Sequence, residues 1–133
     1  MKKFTRILCL ILFITGNAFA QGFWFGKTMT ATAAEAKWGR EEFNAPRFKD
    51  AALTERGKMA SALLRKKAVW IGKSFHDVQT ELGSPDGHYF SDMIPAYLIQ
   101  MAETSQGETW QIVFLPDNNY KIKDVIIHRN YPR

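Results

Sequence analysis

Residues 72–87 read Gly72-Lys73-Ser74-Phe75-His76-Asp77-Val78-Gln79-Thr80-Glu81-Leu82-Gly83-Ser84-Pro85-Asp86-Gly87, and their punctuation decides the fold. Ser74 is a good helix N-cap, because its hydroxyl accepts a backbone N–H that the first turn leaves unpaired. Asp77 stands three residues on, where a capping-box acid reaches back to the cap. Phe75, Val78 and Leu82 then recur at three- and four-residue spacing as one apolar stripe. Gly83 follows directly, and glycine tolerates the left-handed backbone that ends a helix. Pro85 stops the helix from resuming, and Ser84 to Gly87 is turn chemistry throughout.

Downstream of Gly87 the apolar period changes from helical to two. His88-Tyr89-Phe90 is a short strand candidate, broken by Asp92 to Pro95. Tyr97 to Met101 is a second strand, and the polar run Glu103 to Glu108 is a turn. Thr109 to Leu115 is the strongest strand, with Trp110, Ile112 and Phe114 on one face. Pro116 to Asn119 reads as a hairpin loop, and Lys121 to His128 returns as the last strand. Upstream, Met59, Ala60, Leu63 and Leu64 repeat at helical spacing after Leu53 and the candidate cap Thr54. Arg56, Lys58 and Arg65 to Lys67 are assigned to the wet face or the end of this helix, where cations suit the negative pole of its dipole. Two helices followed by antiparallel strands predict an α+β domain. In it, two helices pack on one face of an antiparallel three- to four-stranded meander, since a sheet must cover one apolar face.

The first 20 residues, MKKFTRILCLILFITGNAFA, read as a secretion signal. Lys2, Lys3 and Arg6 precede the apolar run Ile7 to Ile14, and Ala18-Phe19-Ala20 is a small-residue cleavage site. The apolar run is too short to cross about 30 Å of hydrocarbon. Cleavage after Ala20 predicts a periplasmic or secreted protein. Cys9, the single cysteine, lies inside the apolar run rather than behind a lipoprotein signal, so the mature chain carries no thiol, disulfide or acyl anchor. Residues 21–52 read as a partly ordered extension. They open on Phe23-Trp24-Phe25 and include a short helix over Ala31 to Trp38 that ends at Gly39. Phe43, Pro46 and Phe48 predict an irregular segment packed on the core, and the domain proper is placed at 53–133.

The whole chain of 133 residues carries +5. Without residues 1–20 there are 15 basic against 13 acidic groups, a net +2, which does not indicate a nucleic-acid footprint. The charge is uneven: residues 21–74 carry 11 basic and 5 acidic groups, and residues 75–133 carry 4 and 8. Solvated helix faces account for most of this. A basic side could also make a peripheral contact with an anionic membrane surface, through Arg65 to Lys67 with Phe23 to Phe25.

The run from Gly72 to Pro85 fits the pattern G-x-[ST]-x-x-[DE]-V-x-x-x-L-G-x-P. It resembles the SmpA/OmlA (BamE-like) domain of bacterial envelope proteins, and the Trp110-x-Ile112-x-Phe114 strand and the strand around Val125 fit as well. The resemblance covers roughly residues 53–128. The matching positions are structural: Gly72, Ser74, Asp77, Val78, Leu82, Gly83 and Pro85. The resemblance implies a helix–helix–sheet fold of the kind also seen in β-lactamase inhibitor proteins. It implies a non-catalytic binding or scaffolding role in the envelope with a protein partner. Members of that family are outer-membrane lipoproteins, and this chain lacks their acylated cysteine.

No enzyme motif competes with that reading. His76, His88 and His128 stand at no metal-ligand spacing, and no nucleophile elbow or phosphate-binding glycine loop occurs. No catalytic residue, metal or cofactor is expected. The contact surface is expected on the sheet's open face or at its edge strand, with Tyr89, Tyr97 and Trp110 as the candidate partner contacts. The alternative is an inhibitor of a periplasmic or secreted enzyme, suggested by the inhibitor-like fold.

Overall fold

The computed structural model describes residues 27–130; the leader, its cleavage site and Phe23-Trp24-Phe25 lie outside the described residues. Elements run β1 (Lys27–Met29), α1 (Ala31–Trp38), α2 (Ala45–Asp50), α3 (Leu53–Arg65), a 3-10 turn (Lys67–Val69), α4 (Phe75–Leu82), β2 (Ala96–Gln100), β3 (Thr109–Pro116) and β4 (Ile122–Asn130). The strands form one open antiparallel sheet in the order β1-β4-β3-β2. The fold is the predicted two-layer α+β, with helices against one face.

The motif that decided the fold behaves as its chemistry requires. Ser74 Oγ accepts the Asp77 N–H at 3.1 Å, and Asp77 returns the favour to the Ser74 N–H at 3.0 Å. These bonds hold the Asp77 carboxyl below the usual range. Gly83 sits at φ 83°, which only glycine adopts cheaply, and its N–H bonds the Gln79 carbonyl. Val78 and Leu82 are buried, Phe75 partly so. The Gly72 N–H donates to Ile122 O at 2.8 Å, which ties the start of the motif to β4.

Five aromatic rings close a circle between the layers. Trp70 meets Phe114 at 5.2 Å, Phe114 meets Tyr97 at 5.9 Å, and Tyr97 meets Phe48 at 6.1 Å. Phe48 then meets Phe43 at 5.8 Å, and Phe43 meets Trp70 at 5.9 Å. The contacts are tilted or edge-to-face, the arrangement that ring quadrupoles prefer. The Tyr97 hydroxyl donates to Gly83 O at 2.8 Å, so α4 and β2 are joined at the helix's end, and burial pushes that phenol's pKa up.

Five expectations are corrected. The fourth strand is β1, which pairs with β4, whereas 88–90 joins no ladder. The stretch expected to be a partly ordered extension is, from Lys27 onward, part of the same domain: it supplies β1, α1 and α2, and buries Ala34 and Phe48 completely. The predicted helix Ala31 to Trp38 is present, while Pro46 and Phe48, expected in an irregular segment, belong to the short helix α2 with Asn44 as its cap. Finally, α3 is capped by Ala52 without a side-chain bond, so Thr54 is no cap, and Arg56 is buried rather than wet.

Candidate functional site

The connection between α4 and β2 runs along the β2 edge and then over Gln111 and His128 on the sheet's second face. The Phe114 N–H bonds Pro95 O at 2.9 Å, so in this antiparallel ladder the N–H and C=O of Ala96 and Leu98 point away from β3, to the free edge. Each of the following partners comes from the chain itself. The Gly87 N–H donates to Ala96 O at 2.9 Å. Asp86 Oδ1 accepts the Leu98 N–H at 2.9 Å, and Arg56 donates to Leu98 O at 3.3 Å. Arg56 and Asp86 pair at 2.7 Å. The β2 edge, expected to be available to a partner strand, is therefore occupied along Ala96 and Leu98.

Beyond Gly87 the connection climbs onto the outer face. Gln111 is completely buried there; its amide accepts the His88 N–H at 3.1 Å and donates to His88 O at 2.7 Å and Asn130 Oδ1 at 2.8 Å. Asn130 Oδ1 also lies 3.2 Å from His128 Nδ1. The Tyr89 ring stands edge-to-face on His128 at 4.8 Å and on Phe90 at 4.6 Å. Burial raises the Tyr89 phenol pKa.

Phe90 is the tip. The Ser91 N–H bonds Tyr89 O at 2.6 Å across it, a γ-turn, and Phe90 takes φ 57°. A bulky residue there is strained by roughly 1–2 kcal/mol. Yet the residue is 68% exposed, and Met93 is 52% exposed. Ser91 braces the loop, accepting N–H bonds from Met93 and Ile94.

Between this loop and residues 102–107 lies a cleft of about 550 Å³. Its walls include Tyr89, Phe90 and Ser105, and Thr109, His128 and Asn130 also line it. It offers ring faces, hydroxyls, an amide and the imidazoles of His88 and His128, without a lining carboxylate or ammonium. That set suits an uncharged polar or aromatic group. Among the described residues no group of three or more His, Asp, Glu or Cys is placed to hold a metal, and no helix is long and apolar enough to cross a membrane.

Of the three expected contact residues, the structure brings only Tyr89 to this site. Tyr97 and Trp110 are buried on the helix side, at 0% and 2% exposure, and belong to the core. Trp110 Nε1 donates to Glu108 at 2.6 Å, while Trp38 Nε1 bonds Gln100 at 2.9 Å. Sequence reasoning missed Phe90, Met93 and Gln111. A glutamine in a buried strand position was the one available signal, since such an amide must find partners.

The Trp110 hydrogen bond, aided by Lys37 and Arg129 and opposed by burial, holds the Glu108 carboxyl below its ordinary 4.5. A depressed carboxyl contributes stability above its unfolded pKa and loses it as pH falls through the folded one. Glu108→Gln should therefore melt lower than wild type at pH 7, with the gap closing as the pH drops well below 4.5. Melting scans at descending pH check this; a gap that persists in strong acid would contradict it.

Compared with known protein families, curated proteins and solved structures, the chain matches none.

Proposed function

We propose that this protein is an exported, non-catalytic binding module of the bacterial cell envelope, BamE-like in organisation, that holds a protein partner at the outer-face cleft. Phe90 is the observation that carries this reading. A phenylalanine that packs one side on Tyr89 yet keeps most of its surface open to solvent, on a strained turn, has the character of a contact residue, since strain of this kind concentrates at such sites. The adjoining cleft receives an aromatic or amide side chain from the partner. Export rests on the leader's pattern, and sequencing the N-terminus of the protein recovered from cells should begin at Gln21.

The test places a photo-crosslinking residue at Met93 in the cells that make the protein. One dominant adduct is expected, and it should vanish in the Phe90→Asn background. The same probe at Thr80, exposed on α4, should give no such adduct. Phe90→Asn should leave stability within about 1 kcal/mol, because relief of backbone strain offsets loss of the ring contact with Tyr89. Equal adducts from both sites, or one that survives Phe90→Asn, would overturn the cleft as the contact.

The protruding tip also suits insertion into an enzyme's active site, the second reading. An inhibitor would abolish the captured partner's activity at one-to-one stoichiometry, and a scaffold would not.

A further inference from the structure

Away from the cleft, two turns are tied into one surface. Ile122 exchanges hydrogen bonds with the turn that follows α3, accepting from the Gly72 N–H and donating to Lys73 O, both at 2.8 Å. Ser74 bridges Lys121 alongside. In the first turn Trp70 is buried at 1%, and it anchors neighbours that point outward: Val69 is 61% exposed and Ile71 45%. In the second turn Tyr120 is 60% exposed at φ 59°. Asp117 holds it there by accepting the Asn119 and Lys121 N–H groups at 2.7 and 3.0 Å, while Asp117 O accepts the Tyr120 N–H.

Lysines surround these three side chains. Lys67 is paired with Asp124, and Lys73 with Glu81. Lys66, Lys121 and Lys123 are exposed and form no ion pair among the described residues. Asp117 is engaged inside its turn, Asp124 by Lys67 and Asp77 in its capping box; of the two acids that share a hollow with Lys66, Glu41 is paired with Arg47 and Glu42 stands on the side away from the turns. The result is an aliphatic and tyrosyl tip with uncommitted cations beside it.

We propose that this end of the molecule, Val69, Ile71 and Tyr120 with Lys66, Lys121 and Lys123, docks on an anionic lipid surface. The apolar side chains stand on turn tips, the shape that enters a headgroup layer. The tyrosine has the amphipathic ring that rests at that level, and lysine stems can lie along it while their ammonium groups meet lipid phosphates. The membrane contact expected from the sequence paired Arg65 to Lys67 with Phe23 to Phe25; here the inserting residues are different ones. Strand β3 separates this end from the cleft by about 24 Å at the usual rise per residue, so a docked molecule keeps its cleft clear of the lipid. The inference stands independently of the cleft's partner.

The test is flotation of the protein, purified as the cell produces it, with vesicles of equimolar phosphatidylglycerol and phosphatidylcholine, and with phosphatidylcholine alone. Wild type should float with the anionic vesicles and be released by raised salt. Val69→Ser with Ile71→Ser should weaken partition about tenfold or more, by the lost apolar transfer, and Lys66→Gln with Lys121→Gln and Lys123→Gln by a similar factor. Tyr120→Asn should weaken it too while raising the melting temperature, because asparagine tolerates positive φ. Phe90→Asn should float like wild type. All the altered side chains are exposed, and melting scans confirm that each variant folds. No binding by wild type, equal binding to neutral vesicles, or binding unchanged in these variants would overturn the proposal. Loss in the lysine variant alone would show that charge holds the protein without insertion of the turn tips and would equally overturn it.

Discussion

Gly87→Ala is expected to destabilise the fold by about 2–3 kcal/mol, the cost of overpacking a filled site. A Cβ at this position would collide with Gln111 Oε1 and lie 3.0 Å from Ala96 O. The glutamine is the end of a side chain, but it cannot yield: it is completely buried and held by His88 and Asn130. The carbonyl is backbone within β2. The connection must therefore lift from the sheet, which breaks the Gly87–Ala96 and His88–Gln111 bonds together. Urea unfolding measures the loss. Amide exchange should show faster opening at Gly87 and His88 than in β3. A fully stable variant with unchanged exchange would refute this account of how the outer face is closed.

Arg56→Ala is expected to cost about 3 kcal/mol, more than any single carboxylate change in the molecule. The guanidinium donates to Phe48 O at 3.2 Å, to Leu98 O at 3.3 Å and to Asp86 at 2.7 Å, and lies 5.1 Å from the Phe48 ring centre. Truncation strips Leu98 O of its donor, leaves Phe48 O with the Ala51 N–H alone, and empties a buried junction of α2, α3 and β2. Asp86→Asn should cost only about 1 kcal/mol, because the carboxylate is 43% exposed and water can replace its partner. Denaturant midpoints for the two variants test the order. Equal losses would show that the ion pair, rather than the stranded backbone, carries the energy.

The buried arginine shows what the sequence made legible and what it did not. Helix α4 could be read in full, because cap, box, stripe and terminal glycine act within a few residues of one another. Strands β3 and β4 were legible for the same reason. Arg56 shares the stripe of Ala60 and Leu63, so its position pointed inward, but its charge argued for water. The outcome depended on Phe48 O in the preceding helix and on Leu98 O far along the chain. Strand β1 was missed because three residues with polar side chains at Lys27 and Thr28 carry no alternating apolar signal; only the neighbouring β4 makes them a strand. From the sequence alone Tyr97 and Trp110 stand as candidate contacts, with core packing open to Trp110, because an aromatic on a strand can serve either face. The ring circle between the layers decides Tyr97, and Glu108 and Trp38 decide Trp110. The cleft was the least visible feature, since it arises where two loops distant in sequence come to stand over one sheet.

The occupied rim at Ala96 and Leu98 also bears on how the protein ages in concentrated solution. Fibril growth needs a row of bare amides on which each arriving molecule can copy itself, and along that rim the row is already filled from within. Arg56→Ala should uncover Leu98 O, so among stored samples that variant is the one to watch for thioflavin-positive aggregates.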